Sequence, residues 1–94
     1  MYATMRYYHG NSALADALVE NQDEVKRVIG GIDGFQAYYL IRIADGSTVS
    51  ITVFENQSGA EESNRVAAEW LGENLPDLAA SPPMVSAGEV LISA

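Results

Sequence analysis

The chain contains no cysteine, which removes disulfides, thiolate nucleophiles and sulfur-ligated metal or iron–sulfur centres together. It is also short of positive charge: five Lys and Arg stand against thirteen Asp and Glu, a formal charge of −8. A surface of that sign repels phosphate backbones and anionic lipid, so neither nucleic acid nor membrane is an expected partner. His9 is the only histidine. Alone it cannot form a multi-histidine metal site, and no Asp or Glu cluster at ligand spacing accompanies it, so no metal or other cofactor is expected. With no Cys and no defensible Ser-His-Asp pattern, covalent catalysis has no visible carrier. No apolar run approaches a membrane span. The opening residues Met1–Arg6 lack a basic segment followed by an apolar one, so no signal peptide is expected and the cytoplasm is the default location.

What the chain does have is a two-faced hairpin. At 94 residues it holds one domain, 1–94. Its most informative stretch is GFQAYYLIRIADGSTVSITVFEN, from Gly34 to Asn56. Asp45-Gly46 between two β-branched and aromatic runs signals a two-residue type I′ turn. Counting outward pairs Ile41 with Ser50, Tyr39 with Thr52 and Ala37 with Phe54. One face then carries Phe35, Ala37, Tyr39, Ile41, Ser50, Thr52 and Phe54; the other carries Tyr38, Leu40, Val49, Ile51 and Val53. Both faces are largely apolar, and something must cover each. Val49, Ile51 and Val53 are the expected helix-facing set, because β-branched residues pack well there.

The remaining segments supply the cover. Tyr2–Tyr8 reads as a strand, with Tyr2, Thr4, Arg6 and Tyr8 on one side. Asn11 or Ser12 is a plausible N-cap, and Leu14, Ala17, Leu18, Val25, Val28 and Ile29 recur as the stripe of one amphipathic helix ending at Gly30-Gly31. Ser58 and Glu61 match a capping box opening a second helix to about Leu75, stopped by Pro76. Met84–Ser93 reads as a last strand, with Gly88 marking a bulge. Strand–helix–strand twice over predicts an α+β, ferredoxin-like βαββαβ domain: a four-stranded antiparallel sheet in order 4-1-3-2 with two helices on one face. The uncovered sheet face then predicts a homodimer built sheet to sheet.

Gly30, Gly31 and Gly34 follow a helix and precede a strand, the reverse of a phosphate loop, and read as a helix stop and a turn. Arg6 and Tyr8, with Phe35, Tyr39, Ser50, Thr52 and Phe54, form a set of apolar, hydroxyl and guanidinium groups suited to a small-molecule pocket. The same residues would equally serve as the interior of a dimer. His9 and Tyr39 are the candidates for proton transfer.

MYATMRYY, GFQAYYLI, DGSTVSITVFEN, SGAEESNRVAAEWLGENL and GEVLIS together resemble the stand-alone dimeric α+β barrel proteins, and among them the antibiotic biosynthesis monooxygenases. That resemblance implies a homodimer with a pocket between sheet and helices in each subunit. It implies oxidation of a small aromatic or quinol-type substrate without metal or flavin, the deprotonated substrate itself reducing dioxygen. It also adds Asn64 and Trp70 to the pocket candidates, since such enzymes keep an Asn and a Trp close together there. Six residues apart, these two differ by about 240° around a helix and should not share a face. Haem-degrading relatives carry an axial histidine on the second helix, and this one has none. A non-catalytic ligand-binding or sensing dimer, and an isomerase or cyclase using Tyr39 or His9, are the alternatives on the same fold.

Overall fold

The computed structural model describes all residues, Met1–Ala94. The elements run β1 (Tyr2–Tyr8), α1 (Ser12–Glu20), α2 (Gln22–Gly30), β2 (Phe35–Arg42), β3 (Thr48–Phe54), α3 (Gln57–Asn74) and β4 (Met84–Glu89). The strands form one antiparallel sheet in the order β2-β3-β1-β4, the arrangement expected of two interleaved β-α-β units.

The single first helix expected between Leu14 and Ile29 is two. Asn21 breaks it: its side-chain amide donates to the Ala17 carbonyl at 2.8 Å and its backbone N–H to Ala17 and Leu18, leaving φ −104° and ψ 20°. A local Asx hydrogen bond has displaced the helical ladder. Asn11 caps α1 by accepting from Leu14 N–H. At α3 the cap is Asn56, whose Oδ1 accepts from Gly59 N–H at 3.1 Å. Ser58, expected as the cap, instead donates to that same Oδ1.

The hairpin register is shifted by one residue from the expected one. No non-glycine residue has positive φ, so Asp45 cannot be the first residue of a type I′ turn; only Gly46, at φ +88°, is left-handed. Gly46 N–H donates to Ile43 O, Ile43 N–H donates to Ser47 O, and Asp45 accepts from Ser47 N–H. The loop is therefore the three residues Ala44-Asp45-Gly46, and Tyr38 pairs with Thr52, Leu40 with Ser50 and Arg42 with Thr48. Because the side-chain period is two, this slip turns the β2 side chains from Ala37 to Arg42 over relative to β3, while Phe35 still pairs with Phe54. A second irregularity lies between Phe35 and Ala37 of β2; the bulge expected at Gly88 of β4 is absent, and Gly88 pairs regularly with Ala3.

The helices cover the face bearing Thr4, Arg6 and Tyr8 of β1 and Thr48, Ser50, Thr52 and Phe54 of β3, all buried. Val49, Ile51 and Val53 face the other way, contrary to the β-branched expectation. The hydroxyl face can lie inside because some of its polar atoms are met there: Thr48 Oγ1 donates to the Asn11 carbonyl at 2.7 Å, and Thr4 Oγ1 to Asn64 Oδ1. Leu14, Leu18, Val25, Ile29, Phe54, Ala60, Ala67 and Leu71 fill the core between, the larger of them contributing about 1.5–3 kcal/mol each. β4 ends at Glu89, short of the expected Ser93, although Val90 N–H still donates to Met1 O at 2.9 Å.

Candidate functional site

Arg6 lies mid-strand on β1, opposite Ser50 of β3 and Val85 of β4, and is 4% exposed. Its Nη1 donates to Asn64 Oδ1 of α3 at 2.9 Å, and the same oxygen accepts from Thr4. No carboxylate approaches it. The ion pairs of the chain are Arg27–Glu24, Arg42–Asp16 and Arg65 with Glu62 and Glu69, all between exposed or half-exposed side chains. Arg6 is thus a buried cation without a counter-ion, a costly arrangement in a fold of this size.

Two phenols stand beside it. Burial pushes Tyr8 and Tyr38 above the usual phenol range, with the Arg6 charge only partly opposing the shift. Both are therefore protonated and neutral at pH 7, able to donate. Ser50 Oγ and Thr52 Oγ1 are buried with no hydrogen-bond partner. Arg6, Tyr8, Tyr38 and Ser50 form the sheet wall of a narrow cavity of about 30 Å³. Its other walls are apolar side chains of α1, α2 and α3, among them Val25, Val28, Trp70 and Leu71. Trp70 Nε1–H donates to Glu24 Oε1 at 3.0 Å, tying α3 to α2 at this wall. A second, wider cavity of about 360 Å³ also reaches Arg6, Tyr8 and Leu71, between Asn64 and the connector Ala79–Pro83.

The sequence candidates separate accordingly. Arg6, Tyr8, Ser50 and Trp70 meet around the first cavity, whereas Asn64 lines the second and reaches the first only through Arg6. Thr52 is buried two residue pairs along, on the same face but outside the cavity lining. Phe35 and Phe54 pack edge to face with centroids 6.0 Å apart, Phe54 touching α3 at Gly59. Tyr39 is corrected outright: it is 59% exposed on the open sheet face, because the three-residue loop turned it away from Thr52. His9 is exposed in the turn after β1, stacked on Tyr7 at 5.9 Å, and lines neither cavity around Arg6. Tyr38 is the lining residue that sequence reasoning put on the face opposite that of Ser50 and Thr52. The signal that would have found it is Gly46, the one residue of the turn suited to positive φ.

No protein-family model matches the chain, and no curated protein matches it. Solved structures do. A protein of unknown function from Nitrosomonas europaea superposes with a TM-score of 0.75 at 18% identity, over 99% of this chain and 91% of its own. SnoaB, a cofactor-independent oxygenase from Streptomyces nogalater, matches with a TM-score of 0.63 at 18% identity, over 98% and 93%. A dimeric ferredoxin-like protein from an uncultured marine organism matches with a TM-score of 0.64 at 10% identity, over 99% and 95%. The fold is ferredoxin-like. At these identities the likeness concerns that fold, which hosts many chemistries, so function has to be argued from the site. In this ferredoxin-like chain the candidate site is the helix–sheet cavity with Arg6 in its sheet wall. No helix is long and apolar enough to cross a membrane.

Proposed function

We propose that this chain is a homodimeric, monooxygenase-like protein that oxidises a small aromatic or quinol-type substrate in the cavity beside Arg6. The observation that carries the reading is an apolar, Trp- and Tyr-lined cavity whose only charge is one uncompensated buried cation. Such a cavity favours an anionic aromatic guest over a neutral polar one, and the neutral hydroxyls of Tyr8 and Tyr38 are placed to donate to a ring oxygen. Loss of the substrate proton makes the ring electron-rich enough to reduce dioxygen itself. For a phenol the balance is phenol plus O2 giving quinone plus water. The substrate loses four electrons, one oxygen atom enters the ring and the other leaves as water. The printed description of SnoaB as a cofactor-independent oxygenase supports chemistry of this type on the fold.

Homodimerisation is supported by the sheet face away from the helices, where Met5, Tyr39, Ile41 and Met84 are exposed beside Val49, Ile51 and Val53. A second sheet would cover them. The alternative, a ligand-binding dimer without turnover, is favoured by one observation: Asn64 and Trp70 lie in different cavities. Oxygen uptake by the purified protein with a panel of phenols and quinols decides between them. Uptake with at least one substrate, reduced tenfold or more in Arg6→Gln, is the expected result. Ligands that bind with no uptake by any of them would establish the alternative.

A further inference from the structure

Arg6 is the only charged side chain among the buried residues, and nothing of opposite charge reaches it. A guanidinium offers five N–H donors in a planar fork, and Asn64 takes the one from Nη1. Directly across the strand pair, Ser50 Oγ is 2% exposed, lines the same cavity and has no hydrogen-bond partner. Two buried polar groups of one wall are therefore left wanting, a cation and a hydroxyl donor, and they face the same apolar space. Left empty, that wall destabilises the fold; filled by a planar two-oxygen anion, each group finds a partner.

We propose that the ligand of this cavity carries a carboxylate, which docks on Arg6 and Ser50 and completes the ion pair the protein leaves open, its aromatic body lying toward Trp70. The proposal rests on the cavity being the substrate site and narrows the substrate class to aromatic monocarboxylates, with Arg6 as the positioning residue. A carboxylate matches the guanidinium fork with two parallel hydrogen bonds, where a phenolate offers a single oxygen. A phosphate ester is disfavoured by charge: one cation faces a ligand of charge near −2, inside a protein of formal charge −8. The phenols beside Arg6 stay neutral, so neither supplies the missing negative charge. The cavity is too narrow for an aromatic ring as it stands, so entry must part Trp70 from α2 and disturb the hydrogen bond from its indole to Glu24.

That disturbance supplies the readout. The chain has one tryptophan, so its indole N–H gives one resonance that needs no assignment. We would titrate the intact protein with benzoate, benzamide and 4-nitrophenolate at pH 8 and follow that resonance. Benzoate is expected to bind at least tenfold more tightly than benzamide and more tightly than 4-nitrophenolate. Arg6→Gln is expected to bring benzoate and benzamide to within about twofold, and Ser50→Ala to weaken benzoate severalfold while leaving benzamide unchanged. The ligand-free stability of Arg6→Met gives a second test: relief of an unpaired buried charge should raise its Tm by roughly 5 °C. Equal binding of benzoate and benzamide, no shift with either, a tighter 4-nitrophenolate, or a lower Tm for Arg6→Met would each overturn the proposal. Benzoate preference without oxygen uptake would leave it standing and defeat the monooxygenase reading. Uptake of phenols and quinols without benzoate preference would do the reverse.

Discussion

At Gly59 an added Cβ would lie 2.8 Å from Phe54 Cδ1 and 3.0 Å from the Asp33 carbonyl oxygen. Phe54 is fully buried and packs edge to face on Phe35, so its ring has little room to give way. Gly59→Ala is therefore expected to lose about 1–3 kcal/mol despite the better helix propensity of Ala. Gly72, on the exposed side of the same helix, meets nothing within 4 Å, and Gly72→Ala should gain up to about 1 kcal/mol. Urea unfolding of the two variants tests the pair, and only opposite signs satisfy the argument. Residue by residue, the site was partly legible. Arg6 and Tyr8 share a strand face by simple alternation, which made their association readable. Tyr38 and Tyr39 are adjacent tyrosines, and nothing in their own chemistry says which one points inward; a turn several residues away decides it.

That turn is the element on which the hairpin depends. Asp45 accepts hydrogen bonds from the Ser47 backbone and from Tyr7, and its carboxyl is held below the usual range, chiefly by the Ser47 N–H. A carboxyl whose pKa is depressed in the folded state contributes stability that is fully present above its unfolded pKa of about 4 and is lost as the pH falls through the lower folded value. Asp45→Ala is accordingly expected to be less stable than the parent at pH 7, by a margin that narrows below about pH 4. Chemical denaturation across pH 2–7 measures it, and a margin independent of pH would contradict the role given to this carboxylate. The first helix teaches a similar lesson. Its apolar stripe continues across Asn21 without interruption, so periodicity reads one helix; the break comes from a side chain hydrogen-bonding its own backbone.

Over the whole molecule the unbalanced feature is the sheet face opposite the helices. Met84 is 74% and Tyr39 59% exposed, and Met5 and Ile41 lie on the same side. We expect a dimer by sedimentation equilibrium. Ile41→Glu, which places a charge in that face without touching the helix-side core, should yield monomer and abolish the dimer at micromolar concentration. Two subunits of formal charge −8 repel, so added salt should tighten the wild-type dimer. A wild-type monomer at all concentrations would remove the reason for an apolar outer face.

Local sequence was enough to determine the number and order of the strands, the helical crossovers and the apolar character of both sheet faces, because these follow from periodicity and chain connectivity. It also determined that Arg6 and Tyr8 lie side by side. Which face lies under the helices was not determined locally, since both are apolar and the buried one is lined with Thr and Ser whose burial depends on partners such as Asn11 and Asn64, distant in sequence. The meeting of Arg6, Ser50, Tyr38 and Trp70 in one cavity belongs to the tertiary structure alone. It needs the one-residue register shift at Gly46 and the docking of α2 against α3, and both are settled by packing between segments rather than by any one of them.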